Sequence, residues 1–217
     1  MASNKVWLEV VDQVVVVRKQ FVGPTTDRTG QLLPAAQRYE RHGQWLQAAR
    51  NLGAVDLLGI DTNSLTLTTR FAGGRTLGDP SLPEDQLAHY LLRTCQTLRQ
   101  LHDAGLTHGS ITAAHIIVSS DQVRLCSGSN TGDHRSNDAI GFSKLVGELA
   151  QSRLAYANHE NPRVRPKADG LFGRRARRRQ QRWVQAGELL RENHGEHMPT
   201  LAELDWLLPV SPLLARR

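Results

Sequence analysis

Apolar and polar positions change their period along the chain, and the changes divide it into elements. Residues 6–11 and 14–21 are dominated by valine and other strand-forming types, separated by Asp12-Gln13. That pattern predicts two strands on either side of a polar pair. Residues 22–34 carry Gly23, Pro24, Thr25, Thr26, Asp27, Gly30 and Pro34 and predict a loop. From 35 to 52 the spacing turns helical, with Tyr39, Trp45, Leu46, Ala49 and Leu52 on one side and Gly53 as the stop. Two short strands follow at 56–60 and 65–70, around the turn Asp61-Thr62-Asn63-Ser64.

Gly73-Gly74 marks a break, after which helical periodicity dominates. Pro83 opens the most regular segment, running to 102, with Leu87, Tyr90, Leu91, Cys95, Leu98 and Leu101 at steps of three and four. A hairpin is predicted from 116–118 and 123–126 through Ser119-Ser120-Asp121-Gln122. Helices are predicted over 138–150, within 174–191, and over 201–207 behind Thr200. Strand-rich and then helix-rich halves indicate an α+β fold rather than a wound parallel sheet.

Composition narrows the class. The 217 residues are 39% hydrophobic, enough for a core. No run approaches the roughly 18 apolar residues of a membrane span. The first residues lack the apolar stretch of a signal peptide. Cys95 and Cys126 are too few for a disulfide framework or a zinc site of cysteines alone, so a reducing, cytoplasmic setting is expected. The net charge of +6 is uneven. Within 163–182, nine basic residues face only Asp169, a net +8 that leaves the rest of the chain at −2. Arg174, Arg175, Arg177, Arg178, Arg179 and Arg182 lack the acidic partners of a salt-bridged helix face. An acidic protein partner or a nucleic acid is the expected ligand of that segment. Trp183 and Phe172 are the aromatics nearby, a poor base-stacking platform.

One set of motifs resembles the protein-kinase-like superfamily. His108-Gly109-Ser110-Ile111, followed after three residues by His115 and the apolar Ile116-Ile117-Val118, is similar to the catalytic loop that compact atypical kinases write His-Gly-Asp-Leu, four residues, Asn. The style is that of the KEOPS-complex kinase and the lipopolysaccharide-core kinases. The segment 123–126 resembles the strand leading into the metal-binding Asp-Phe-Gly, and Asp138 the aspartate that anchors the catalytic loop. Residues 15–21 resemble the third strand, with Lys19 as the phosphate-binding lysine and Glu40 as its helical partner; the strand pattern alone leaves open whether Arg18 or Lys19 faces the cleft. The resemblance spans residues 6–150. It implies a minimal bilobal fold, with a small β-rich lobe over 1–71 carrying one helix and a mainly helical lobe over 72–217 that includes the Arg-rich segment. His108 is then a packing residue of the loop rather than an acid or base.

The departures carry the functional expectation. Ser110 stands where the substrate hydroxyl meets a carboxylate, and His115 and Ser127 stand where magnesium finds its oxygen ligands. There is no Gly-x-Gly-x-x-Gly between the first strands and no Ala-Pro-Glu before Asp138. Acid–base assistance contributes about 10²–10⁴ in rate, and metal stabilisation several kcal/mol more. The expectation is a catalytically inactive pseudokinase, an adaptor, scaffold or allosteric regulator with no metal and at most metal-independent nucleotide binding. One rival is a weakly active atypical kinase, an ATP-dependent phosphotransferase recruiting Asp121 or Asp133. The other is a nucleic-acid-binding module on a kinase-like platform.

Overall fold

The computed structural model describes residues 4–26, 30–120, 122–128 and 135–159, together with residue 185. The Arg-rich segment, Asp121, Asp133 and the helices expected beyond 160 lie outside the described residues.

β1 (Lys5–Val11) and β2 (Val14–Gln20) form a hairpin in which Lys5 faces Gln20 and Val11 faces Val14. Its two turn residues, Asp12 and Gln13, both have positive φ, 49° and 65°. Two successive left-handed residues give the turn the twist of the strands it joins. β3 (Thr25–Thr26) and β4 (Leu32–Leu33) form a two-residue ladder inside the stretch expected to be loop. α1 (Ala35–Ala48) starts after Pro34 and ends sooner than expected, because Asn51 (φ 70°) as well as Gly53 (φ 92°) turns left-handed. β5 (Leu57–Asp61) and β6 (Thr66–Arg70) complete an antiparallel sheet of order β1-β2-β6-β5.

That sheet ends at Arg70. β7 (Arg75–Thr76) belongs to a second antiparallel sheet, β7-β8-β9, with β8 (Ile116–Ser119) and β9 (Gln122–Leu125). The chain enters it through Gly74, whose φ is 82° and whose missing Cβ would run into the Val118 carbonyl. α2 (Glu84–Asp103) packs on β9, and α3 (Arg135–His159) packs on α2. α3 begins three residues before the expected start and runs nine beyond the expected end.

Among the described residues the fold is mixed α and β, with separate antiparallel sheets and three α-helices. One apolar core joins them: Trp45 and Leu46 of α1, Leu67 of β6, Leu91 and Leu98 of α2, Leu125 of β9, and Phe142 and Leu145 of α3 are all essentially buried. A main-chain bridge links the segment before β5 to β9. Val55 N–H donates to the Leu125 carbonyl (3.0 Å) and Leu125 N–H to the Gly53 carbonyl (2.8 Å). The candidate site lies beside this bridge. Among the described residues no helix is long and apolar enough to cross a membrane.

Candidate functional site

The loop between α2 and β8 is held from below by one carboxylate. Asp138, fully buried in the first turn of helix that the sequence pattern marks, accepts the main-chain N–H of His108 on Oδ2 and that of Gly109 on Oδ1, both at 2.7 Å. His102, in the last turn of α2, donates its Nε2–H to Oδ2 at 3.0 Å. Three donors on one buried carboxylate fix the loop against α2 and α3 together.

The histidines beside it have their tautomers set by their partners. His108 donates Nε2–H to the Cys126 carbonyl (3.0 Å), so its Nδ1 is free to accept the Ser110 N–H (3.3 Å). His115, in the single 3-10 turn Ala113–His115, donates Nδ1–H to the Ser110 carbonyl (2.8 Å). His42 donates Nδ1–H to the Gly128 carbonyl (2.8 Å). Trp45 sits among them, 5.3 Å edge-on from the His108 ring and 6.5 Å stacked from His42. Burial holds the His42 imidazole at a pKa of about 3, with the Lys19 charge adding to the effect. Burial likewise lowers His108 to about 4, although Asp138 pulls it up. Both are neutral at ordinary pH and serve as hydrogen-bonding core groups.

Above this layer is a cavity of about 310 Å³ between the first sheet and the β8–β9 hairpin. Val6, Val17, Val55, Leu67, Ala72 and Ile117 supply its apolar wall. Lys19, His115, Cys126 and Ser127 form its polar end. Lys19 enters this cavity and donates from Nζ to Ser127 Oγ at 3.1 Å, across 108 residues of sequence. Arg18 points to the other face of the sheet, where its Nε meets Glu9 Oε2 at 2.5 Å. Alternation along β2 thus resolves which of the two cations faces inward. Burial lowers the Lys19 amine to about 8, against a smaller opposing pull from Cys126, and Arg38 lowers it further. Burial also raises the Cys126 thiol, so it is not a thiolate nucleophile at neutral pH.

The structure does not bring Glu40 to Lys19. Glu40 is exposed on α1 and makes no ion pair with the lysine. The helix phase set by Tyr39, Trp45 and Leu46 turns His42 inward instead, and His42 lines the cavity. Ser110 stands one hydrogen bond behind His115 and does not line the cavity. His42 was missed in the sequence, although it lies three residues from both Tyr39 and Trp45 and so shares their face.

Among the described residues no carboxylate lines the cavity. Among the described residues no group of three or more His, Cys, Asp or Glu side chains could hold a metal ion. Magnesium, which the kinase-like resemblance implies, requires hard oxygen ligands in near-octahedral array. The lining offers imidazoles, a thiol, hydroxyls, two cations and the Asn4 amide, whose oxygen already accepts from Arg38; this set does not fit magnesium, and no step through such an ion follows from this site.

No protein-family model matches this chain, and no curated protein matches it.

Proposed function

We propose that the chain is a degenerate protein-kinase-like domain, a pseudokinase that acts as an adaptor, scaffold or allosteric regulator. The observation that carries this reading is a pair of contacts. Asp138 grips the loop backbone at His108 and Gly109, and Lys19 reaches across the cavity to Ser127 where a kinase has a carboxylate. The first keeps a loop in shape for a site; the second leaves that site without a metal ligand. In this reading residues 1–71 and 72–217 are the two lobes, and the cavity is the remnant of a nucleotide cleft.

The arrangement supports little chemistry. Ser110 is a neutral hydroxyl and cannot serve as base. Lys19 supplies a cation for an anionic ligand without a metal to share its charge. The apolar wall suits a flat ring. Partner binding then falls to the outer surfaces and to the Arg-rich segment around Arg174–Arg182, whose charge suits an acidic partner.

Transfer of the terminal phosphate of labelled ATP, to protein or to water, tests the inactivity directly. The expected rate equals the protein-free background with magnesium or manganese. Magnesium-dependent turnover that disappears in Lys19→Met would establish an active kinase instead.

A further inference from the structure

β1 is an edge strand of its sheet among the described residues. The sheet order begins at β1, so the strand's outer side has no neighbour among the described residues. The free groups can be identified. Phe71 N–H donates to the Val15 carbonyl, so the odd residues of β2 address β6 and the even ones address β1. Val14, Val16, Arg18 and Gln20 pair with Val11, Glu9, Trp7 and Lys5. The N–H and C=O groups of Val6, Leu8 and Val10 therefore point outward. Their side chains are exposed as well, at 61%, 59% and 68%. Natural edges are guarded by charges, prolines, bulges or short length. This one is seven residues long and has an unbroken register; its charges, Lys5 and Glu9, lie on one face, and three exposed aliphatic residues lie on the other, Val6 among them at the edge of the cavity.

We propose that a second copy of this chain pairs with it, β1 antiparallel to β1 about a two-fold axis at Trp7. The sequence is self-complementary in that register. Trp7 meets Trp7, Lys5 meets Glu9 and Val6 meets Leu8, each pair occurring twice or on the axis. Opposed residues of an antiparallel ladder share a face. One face of the joint is thus aliphatic. The other has a tryptophan pair between two ion pairs, and each Glu9 lies between its own Arg18 and the Lys5 of the other copy. The result is a continuous eight-stranded antiparallel sheet. A strand from an unrelated protein could satisfy the backbone groups, but it would not explain why charge and apolar positions match their own reversal.

Sedimentation equilibrium of the full chain, with hydrogen exchange at the Val6, Leu8 and Val10 amides, tests this. The expected result is a dimer at micromolar concentration whose three amides slow as concentration rises. Leu8→Lys, at a position open in the monomer, should weaken association at least tenfold without changing the far-ultraviolet dichroism. Lys5→Glu should do the same, and the swap Lys5→Glu with Glu9→Lys should restore the dimer. A wild-type chain that is monomeric at high micromolar concentration overturns the proposal. So does a dimer indifferent to both Leu8→Lys and Lys5→Glu.

Discussion

Trp45 is packed directly on Gly128: a Cβ on the glycine would overlap the indole ring. The ring is completely buried, and its Nε1–H donates to the Thr107 carbonyl at 2.8 Å. One side chain of α1 thus sets the path of the chain both before the His108 loop and after Ser127. Gly128→Ala should destabilise the protein by about 1–3 kcal/mol through overpacking, read from urea unfolding. It should also displace Ser127, so the Lys19–Ser127 bond should weaken in the same variant.

Asp138→Ala removes the acceptor of two buried main-chain N–H groups and of His102. Unpaired buried donors cost about 1–3 kcal/mol each, so a loss of about 3–5 kcal/mol is expected. Asp138→Asn keeps one acceptor oxygen and should cost clearly less. Equal losses in the two variants would mean that the carboxylate pair is not what holds the loop.

Acid should unfold the protein through its histidines. In the folded state His42 and His108 have pKa values of about 3 and about 4, below the ordinary 6.5. The unfolded chain therefore takes up protons that the folded chain refuses. The stability is fully present above pH 6.5 and is lost progressively as pH falls toward 4 and then 3. Each group contributes a slope of about 1.4 kcal/mol per pH unit in that window. Urea midpoints from pH 8 to pH 5 should fall accordingly, and His42→Gln should flatten the slope by about one proton.

Lys19 should behave as a strained cation. Its folded pKa of about 8 lies below 10.5, so its burial penalty is fully present below pH 8 and is relieved as pH rises to 10.5. Lys19→Met should raise stability at neutral pH by about 1–2 kcal/mol and lose the gain at high pH. Ser127→Asp, which sets a carboxylate against the amine, should move the amine pKa back upward, measured by the pH dependence of its acylation.

Much of the fold was legible because the burial pattern is local. The face Leu87, Tyr90, Leu91, Cys95, Leu98 and Leu101 is buried in α2 as its spacing requires. The Asp12-Gln13 turn separates two β-branched runs that pair in full register. β7 was not legible, since two exposed residues, Arg75 and Thr76, carry no pattern of their own and are recruited by β8. α3 runs past its expected end at 150 because 151–159 contains no glycine or proline to stop it; the next proline is Pro162. At the site, Lys19, His115 and Ser127 come together across distant segments, which only the order of the motifs suggested. The inner position of α1 was assigned to Glu40, although the helix phase gives it to His42.

The proposed function requires that the cavity takes up no divalent cation with a nucleotide. Melting temperature against ATP, with and without magnesium, tests it most directly. The account predicts that magnesium adds nothing: the two curves coincide, whether flat or rising. A magnesium-dependent rise would contradict it. For ligand at 100 times its dissociation constant that rise is worth about 2.7 kcal/mol, or roughly 5–10 °C in a domain of this size.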